Sequence, residues 1–397
     1  MVVTWHGKKK SVTDQTIETK SRTNHVALPT GTLVLMIDHG PEISELCDFA
    51  ARANPKRGFL VVSKVLGRHV PARPVHIRAT MDAIAATLSA DLPQPVVFLG
   101  MAETATALGQ GVYAAFQARN PSVSSAYLQT SRQQVRGTDP ITKFEEGHSH
   151  ATSHLVQIAD PAIIRKVKDA RTLVVIDDEC STGNTFVSAV RSMLGVMKEL
   201  RQIETCCITD WSGGDYLADM PYPARRHSIL SGWMEWHASN PAQQSHQLPE
   251  GSNGAGIAPP TGMRSRCGLL APEAADRVHV HCQPGERILV LGDGEHSYEA
   301  LRIAEEIEAQ GGIAAVQSIT RTPAMVGHAM RSRSTFTDAY GSGAPTFLYN
   351  ILAHDPDRVI IAAELVGNQA AEAASAMQEL GRNVPVQVVL CQYRDEE

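Results

Sequence analysis

The stretch Thr172–Val190, TLVVIDDECSTGNTFVSAV, runs from consecutive apolar residues into three acids and then a small polar turn. Leu173 to Ile176 reads as a strand buried on both faces, and the residues from Phe186 onward read as a helix. Asp177, Asp178 and Glu179 therefore fall where a parallel strand leaves its sheet, which is where open α/β sheets bind ligands. Adjacent carboxylates repel each other, a cost that a purely structural strand end seldom carries. Ser181, Thr182, Gly183, Asn184 and Thr185 lead into a helix N-terminus, where backbone N–H groups and hydroxyls can surround a phosphate. Ser and Thr are also common helix caps, so the turn by itself fits a capped helix as well as an anion site.

Working outward, Leu33 to Asp210 alternates short apolar or β-branched runs (FLVVSKV, PVVFLG, SSAYLQT, TCCITD) with helical segments at Met81–Ala90 and Glu103–Gln117. That alternation predicts an α/β domain, a mostly parallel sheet with helices on both faces, over residues 31–239. Residues 1–30 are polar and read as a loosely held arm. Residues 240–263 concentrate Pro, Gly, Ser, Gln and Asn and read as a flexible linker. Alternation resumes over 264–397 with RILVLG, a helix at Ser297–Gln310, IAAVQSI, RVIIAAE, a helix at Asn368–Leu380 and VQVVL, predicting a second, smaller α/β domain.

The 397 residues, 43% of them hydrophobic, suffice for two cores with a linker between them. A net charge of -6, and no extended Lys/Arg run beyond GKKK near the N-terminus, argue against a nucleic-acid surface and for a small-molecule partner. No signal-peptide or bilayer-spanning stretch stands out, so a cytoplasmic protein is expected. The seven cysteines include no C-x-x-C pair and read as reduced thiols.

The two halves echo each other. VFLGMAETATALGQGVYAAF is matched by LVLGDGEHSYEALRIAEEI, LQTSRQQVRG by QSITRTPAMVG, and LVVIDDECSTGN by RVIIAAELVGN, in the same order. A degenerate duplication is inferred, with Ala362 and Ala363 in place of the acid pair. Glu295, Arg321, Asp338, Tyr340, Tyr349 and Asn350 fall in loop segments of the second unit, where polar residues most often bind something.

The order of apolar strand, acid pair and Thr-Gly-x-Thr resembles the phosphoribosyl pyrophosphate (PRPP) motif of type I phosphoribosyltransferases. The resemblance implies that Asp177 and Asp178 hold the ribose hydroxyls while Ser181, Thr182, Gly183, Asn184 and Thr185 cradle the 5′-phosphate. A carboxylate pair accepts hydroxyl hydrogen bonds and also favours the positive charge of an oxocarbenium-like ribose. Ser181 stands where purine-type members carry aspartate and orotate-type members carry Thr or Ser, so the implied base is not an ordinary purine.

GFLVVSKVLGRHVPARP is similar to an orotate-type segment facing PRPP and base, which nominates Lys64, Gly67, Arg68 and His69; a basic solvated turn is the plainer reading. Gly100, Met101, Ala102, Glu103 and Thr104 occupy the place of the pyrophosphate loop. Glu103 departs from the usual Gly or Arg there, which makes sense through magnesium, through a hydrogen bond to a base or loop, or as an acid in a first helical turn. Tyr127–Gln157 would be the mobile catalytic loop, with Arg132, Lys143 and His148 as its candidates. His148, His150 and His154 could instead ligate a metal, which would make the protein a hydrolase.

Over nearly the whole chain from about Leu33, the sequence resembles a bacterial family in which an orotate-type transferase domain precedes a TRSP domain, encoded near tellurium-resistance and stress-response genes. Thr320-Arg321-Thr322-Pro323 stands where that domain's namesake motif is Thr-Arg-Ser-Pro. The resemblance implies Mg2+-dependent transfer of 5-phosphoribose between pyrophosphate and a nitrogenous base. Asp177 and Asp178 would meet the metal through PRPP and water. It also implies a homodimer and operon-encoded protein partners. A PRPP- or nucleotide-binding sensor without catalysis is the alternative.

Overall fold

A strand in the middle of a parallel sheet has no solvent face, and every residue of Val96–Gly100 and of Thr172–Ile176 is buried accordingly. The computed structural model describes residues 22–52, 54, 57–145, 153–239, 256–260, 264–272 and 278–391. The largest sheet runs, strand by strand, Arg22–Leu28, Gly31–His39, Ala224–Ala238, Gln202–Asp210, Thr172–Ile176, Val96–Gly100, Ser125–Ser131, Ser153–Gln157 and Pro140–Glu145. The five strands from Ala224–Ala238 to Ser125–Ser131 pair in parallel, and antiparallel hairpins close both edges.

A second sheet of four parallel strands has the order Ile313–Ile319, Arg287–Asp293, Arg358–Ala363, Val386–Leu390. Alternate residues of its central strand feed opposite faces. Ile288 and Val290 pack with Ile303 and Ile307 of the helix Ser297–Ala309, while Leu289 and Leu291 pack with Ala373 and Met377 of the helix Gln369–Glu379. Both halves are thus α/β, with the smaller one second.

The inferred duplication has a counterpart in topology. Val96–Gly100 and Arg287–Asp293 are each central, Ser125–Ser131 and Ile313–Ile319 lie on one side of them, and Thr172–Ile176 then Gln202–Asp210, like Arg358–Ala363 then Val386–Leu390, follow on the other. Register corrects the correspondence by one residue: Ile176 pairs with Gly100, and Ala362 pairs with Gly292. The acid pair is therefore matched by Ala363 and Glu364, so a carboxylate survives in place of Asp178.

Three expectations change. Arg22–Leu28, read as part of a loose arm, is a strand hydrogen-bonded to Gly31–His39; its weakly apolar alternation is sufficient because the partner strand carries the core. Residues 1–21 lie outside the described residues, as do 240–255 and 261–263 of the expected linker, whereas Gly256–Ala258 pairs in parallel with Gln133–Val135. The halves also do not keep separate cores. One apolar cluster runs from Trp236 and Met81 of the first half to Tyr298, Ile303 and Val316 of the second, and the helices Thr106–Arg119 and Ser297–Ala309 pack across the junction.

Candidate active site

The acids at the end of Thr172–Ile176 are fixed by their own backbone. The Asp177 N–H donates to the Cys206 carbonyl (3.0 Å), the Asp178 N–H to Asp177 Oδ1 (2.9 Å), and the Asp178 carbonyl accepts from the Ile208 N–H (3.1 Å). Gly183, at φ 79°, then turns the chain into the helix Asn184–Met193; a Cβ there would collide with the Tyr216 ring. The first-turn amides of that helix face the same space as the acids, which suits an anion.

These groups line a cleft of about 240 Å³. Asp177, Asp178, Ser181, Thr182, Asn184 and Thr185 form one wall, Ala102, Glu103, Thr104 and Arg132 a second, and Arg52, Arg57, Leu60, Val61 and His69 a third. Arg321, Thr322 and Pro323 of the second half complete it. Thr104 Oγ1 donates to Asp178 Oδ1 (2.8 Å), tying two of the walls together. Arg132 Nη1 donates to the Ser153 carbonyl (2.8 Å) and Nη2 to the Ala102 carbonyl (3.3 Å), which aims its charge along the 102–104 loop.

Gly100 and Met101 do not line the cleft. Gly100 ends its strand beneath the loop, where a Cβ would meet Tyr127 Oη, and the Met101 N–H is spent on the Ile176 carbonyl (2.9 Å) with its side chain fully buried. Of the residues nominated for the base side, only His69 reaches the cleft. Lys64 is exposed and its Nζ donates to the Ser44 carbonyl, 2.5 Å away. Gly67, at φ 69°, lets the backbone pass close to the Val316 carbonyl. Arg68 is buried and ion-paired to Glu103, and its Nη1 donates to the Gly294 carbonyl (2.8 Å).

Glu103 is fixed on both sides. Besides pairing with Arg68, its Oε1 accepts the Arg321 N–H (3.1 Å), so of the readings open for it the hydrogen bond to a neighbouring loop is the one present. Lys143 sits exposed on the edge strand Pro140–Glu145, away from the cleft. His148 and His150 lie outside the described residues. His154 is fully buried, 2.8 Å from Thr130 Oγ1 and stacked on Phe144, which makes it a core residue; among the described residues no three His, Cys, Asp or Glu are grouped to hold a metal.

In the second half Asp338 pairs with Arg321 (3.3 Å) at the rim of the cleft. Glu295 and Tyr340 lie elsewhere. Glu295 is buried between the halves, taking the Arg132 N–H (2.5 Å) and Ser131 Oγ (2.7 Å), and Tyr340 Oη donates to Glu364 (2.7 Å). Arg266 bonds both Glu295 (3.2 Å) and Glu364 (2.7 Å), so the space that would mirror the first cleft is occupied by a buried ionic network. Tyr349 Oη donates to the Thr322 carbonyl (2.8 Å) and Asn350 Nδ2 to the His69 carbonyl (3.1 Å); both residues brace the cleft from behind.

Electrostatics divide the cleft. Burial, with Arg68 and Arg52 adding to it, pushes the His69 imidazole down to about 3, so it is neutral at physiological pH, and its Nε2 has no hydrogen-bond partner among the described residues. Burial, reinforced by Arg57, lowers Arg52 to about 10, still fully charged near neutrality. Burial raises Glu179, Asp178 adds to the rise, and Arg57, 2.5 Å away, opposes it. Arg52, Arg57 and Ser188 escaped the sequence reading. The basic turn RANPKRG between CDFAA and FLVVS was the available signal for the two arginines.

Magnesium is commonly held by one or two carboxylates together with substrate phosphates and water. Adjacent Asp177 and Asp178, lining one cleft with the residues of the 181–185 turn, would fit that donor set.

Family models match both halves of the chain. Residues 46–232 match the family described as phosphoribosyl transferase, and residues 263–380 match the TRSP domain C terminus to PRTase_2. No curated protein matches the chain. Similar solved structures include the APRTase from Giardia lamblia complexed with 9-deazaadenine, at 15% identity over 48% of this chain and 96% of that one, with a TM-score of 0.33. Another is the Mycobacterium tuberculosis orotate phosphoribosyltransferase in complex with Fe(III) dicitrate, at 14% identity over 51% and 95%, with a TM-score of 0.29. The chain thus carries a PRTase_2 phosphoribosyl transferase domain over residues 46–232 followed by a TRSP domain over residues 263–380.

Proposed function

We propose that the protein is a Mg2+-dependent phosphoribosyltransferase that exchanges 5-phosphoribose between PRPP and a non-purine nitrogenous base. One observation carries this reading: the acid pair, the Ser181–Thr185 turn, the 102–104 loop and Arg132 all face one cleft. The ribose hydroxyls hydrogen-bond to Asp177 and Asp178, and the 5′-phosphate sits on the helix N-terminus after Gly183. The pyrophosphate lies against Ala102–Thr104 under Arg132. The remaining wall, with apolar Leu60 and Val61 beside Arg52 and neutral His69, receives the base.

In the forward direction the C1–O bond to pyrophosphate breaks, and its electron pair leaves with the pyrophosphate. The base nitrogen forms the new C1–N bond and gives up its proton to water. The carboxylates of Asp177 and Asp178 stabilise the positive charge that grows on the ribose. Bound magnesium would neutralise the leaving pyrophosphate. His69, unprotonated, offers the base a hydrogen bond without adding charge. A role in a stress response is part of the same proposal.

Pyrophosphate release from PRPP, measured against orotate, uracil, nicotinate and purine bases, tests this reading. Release with a non-purine base, lost in Asp178→Asn, is expected. Binding of PRPP with no release from any base would leave a sensor in place of an enzyme.

A further inference from the structure

The two halves are locked together by contacts that come in matching pairs. Glu103 follows the central strand Val96–Gly100 of the first sheet and accepts the Arg321 N–H from beyond Ile313–Ile319 of the other sheet (3.1 Å). Glu295 holds the same place in the second sheet and accepts the Arg132 N–H in return (2.5 Å). Ala72 bridges Val316 of the second half, while Leu269 bridges Tyr127 of the first, and Tyr127 and Val316 occupy equivalent places on the strands that lead to Arg132 and Arg321. The first half pairs Arg68 with Glu103, and the second pairs Arg266 with Glu295. Arg321 is thus the counterpart of Arg132, and both arginines line the one cleft.

Arg321 is held ready there. Its Nη2 donates to Asp338 (3.3 Å) and to Ser342 Oγ (2.9 Å), while Nε and Nη1 have no protein partner among the described residues. The loop around it is stiffened: the Thr322 N–H donates to Thr320 Oγ1 (3.2 Å), and the Thr322 carbonyl accepts from Tyr349 Oη (2.8 Å). A guanidinium anchored through one nitrogen still presents a planar pair of donors, the geometry that takes a phosphate or carboxylate oxygen pair.

We propose that Arg321 is a substrate-binding residue, supplied to the transferase cleft by the second domain, and that it takes the pyrophosphate group. The bond between its own N–H and Glu103 places it beside the 102–104 loop, whose Ala102 carbonyl Arg132 also bonds, so the leaving group meets two pseudo-equivalent arginines. This rests on the transferase reading and explains the position of the Thr320–Pro323 motif, which forms a wall of the neighbouring domain's cleft. The second domain has lost its own cleft to Arg266 and Tyr340 and completes the first.

The test is titration of the full chain with magnesium pyrophosphate, magnesium PRPP and ribose 5-phosphate in the wild type, Arg321→Met, Arg321→Lys and Asp178→Asn, with thermal melts to verify folding. Arg321→Met should weaken pyrophosphate and PRPP binding roughly 10- to 100-fold, the range for a hydrogen bond to a charged group. Ribose 5-phosphate should bind as to wild type, and Arg321→Lys should recover part of the loss. Equal weakening of ribose 5-phosphate, or unchanged pyrophosphate binding in a folded Arg321→Met while Asp178→Asn loses PRPP, would overturn the assignment and leave the transferase reading standing. Absence of PRPP binding by the wild type would remove both.

Discussion

Gly183 carries two constraints at once, a left-handed φ of 79° and a side-chain position already filled by Tyr216. Gly183→Ala should therefore cost about 2 kcal/mol or more in denaturant unfolding, the order expected for a strained non-glycine left-handed residue plus a clash. Asp178→Asn acts differently, because it keeps the shape and removes the charge. It should lower turnover by roughly 100-fold or more with little change in melting temperature. His69 makes a prediction about pH. Its imidazole is held at about 3 in the folded chain against 6.5 in the unfolded one, so the unfolded state alone takes up a proton between those values. Stability from this residue is complete above pH 6.5 and is lost as pH falls toward 3, at about 1.4 kcal/mol per pH unit. Denaturation curves at pH 7 and pH 5 should show a smaller acid loss in His69→Asn than in wild type; equal losses would contradict a buried neutral imidazole.

Among the elements, the strand that ends in the acid pair was readable because a both-face-buried strand cannot be anything but an apolar run, and its neighbour Val96–Gly100 obeys the same rule. The turn after it was readable for a comparable reason: small hydroxyl residues around a glycine leave few alternatives. The third wall was not readable in the same way. Arg52 and Arg57 lie in the turn of a short hairpin, Cys47–Ala51 with Phe59–Ser63, whose pairing brings them over acids that lie far later in the chain, as the Arg57–Glu179 pair, 122 residues apart, shows. Nothing local announces a contact of that span. Arg68 misled for the opposite reason: a basic turn after a strand looks solvated, yet Glu103 and the Gly294 carbonyl draw it inside. The second copy's acid was hidden by a one-residue offset that only sheet register resolves. Arg266 shows what such buried pairs demand. Arg266→Met would strand Glu295 and Glu364 without their cation, and about 3–5 kcal/mol of stability should go with it, read from denaturant midpoints.

Across the whole molecule, reciprocal clamps and a shared core make the two domains one cooperative body. All four tryptophans, Trp5, Trp211, Trp233 and Trp236, belong to the first half, whereas far-ultraviolet circular dichroism reports helices of both. Fluorescence and circular dichroism should therefore trace the same unfolding midpoint, and separated midpoints would mean independent domains. The same interlock explains how a domain that has lost its own cleft can persist beside one that keeps it, since it supplies the fourth wall and steadies His69 through Gln317 and Asn350.

If the cleft at the end of Thr172–Ile176 is a PRPP site, a crystal structure of the full chain grown with magnesium PRPP should show the ligand there. Ribose hydroxyls are expected on Asp177 and Asp178, the 5′-phosphate in the Ser181–Thr185 turn and pyrophosphate against Ala102–Thr104. PRPP bound elsewhere, or a cleft that stays empty at saturating ligand, would show that the acid pair and its turn serve another purpose.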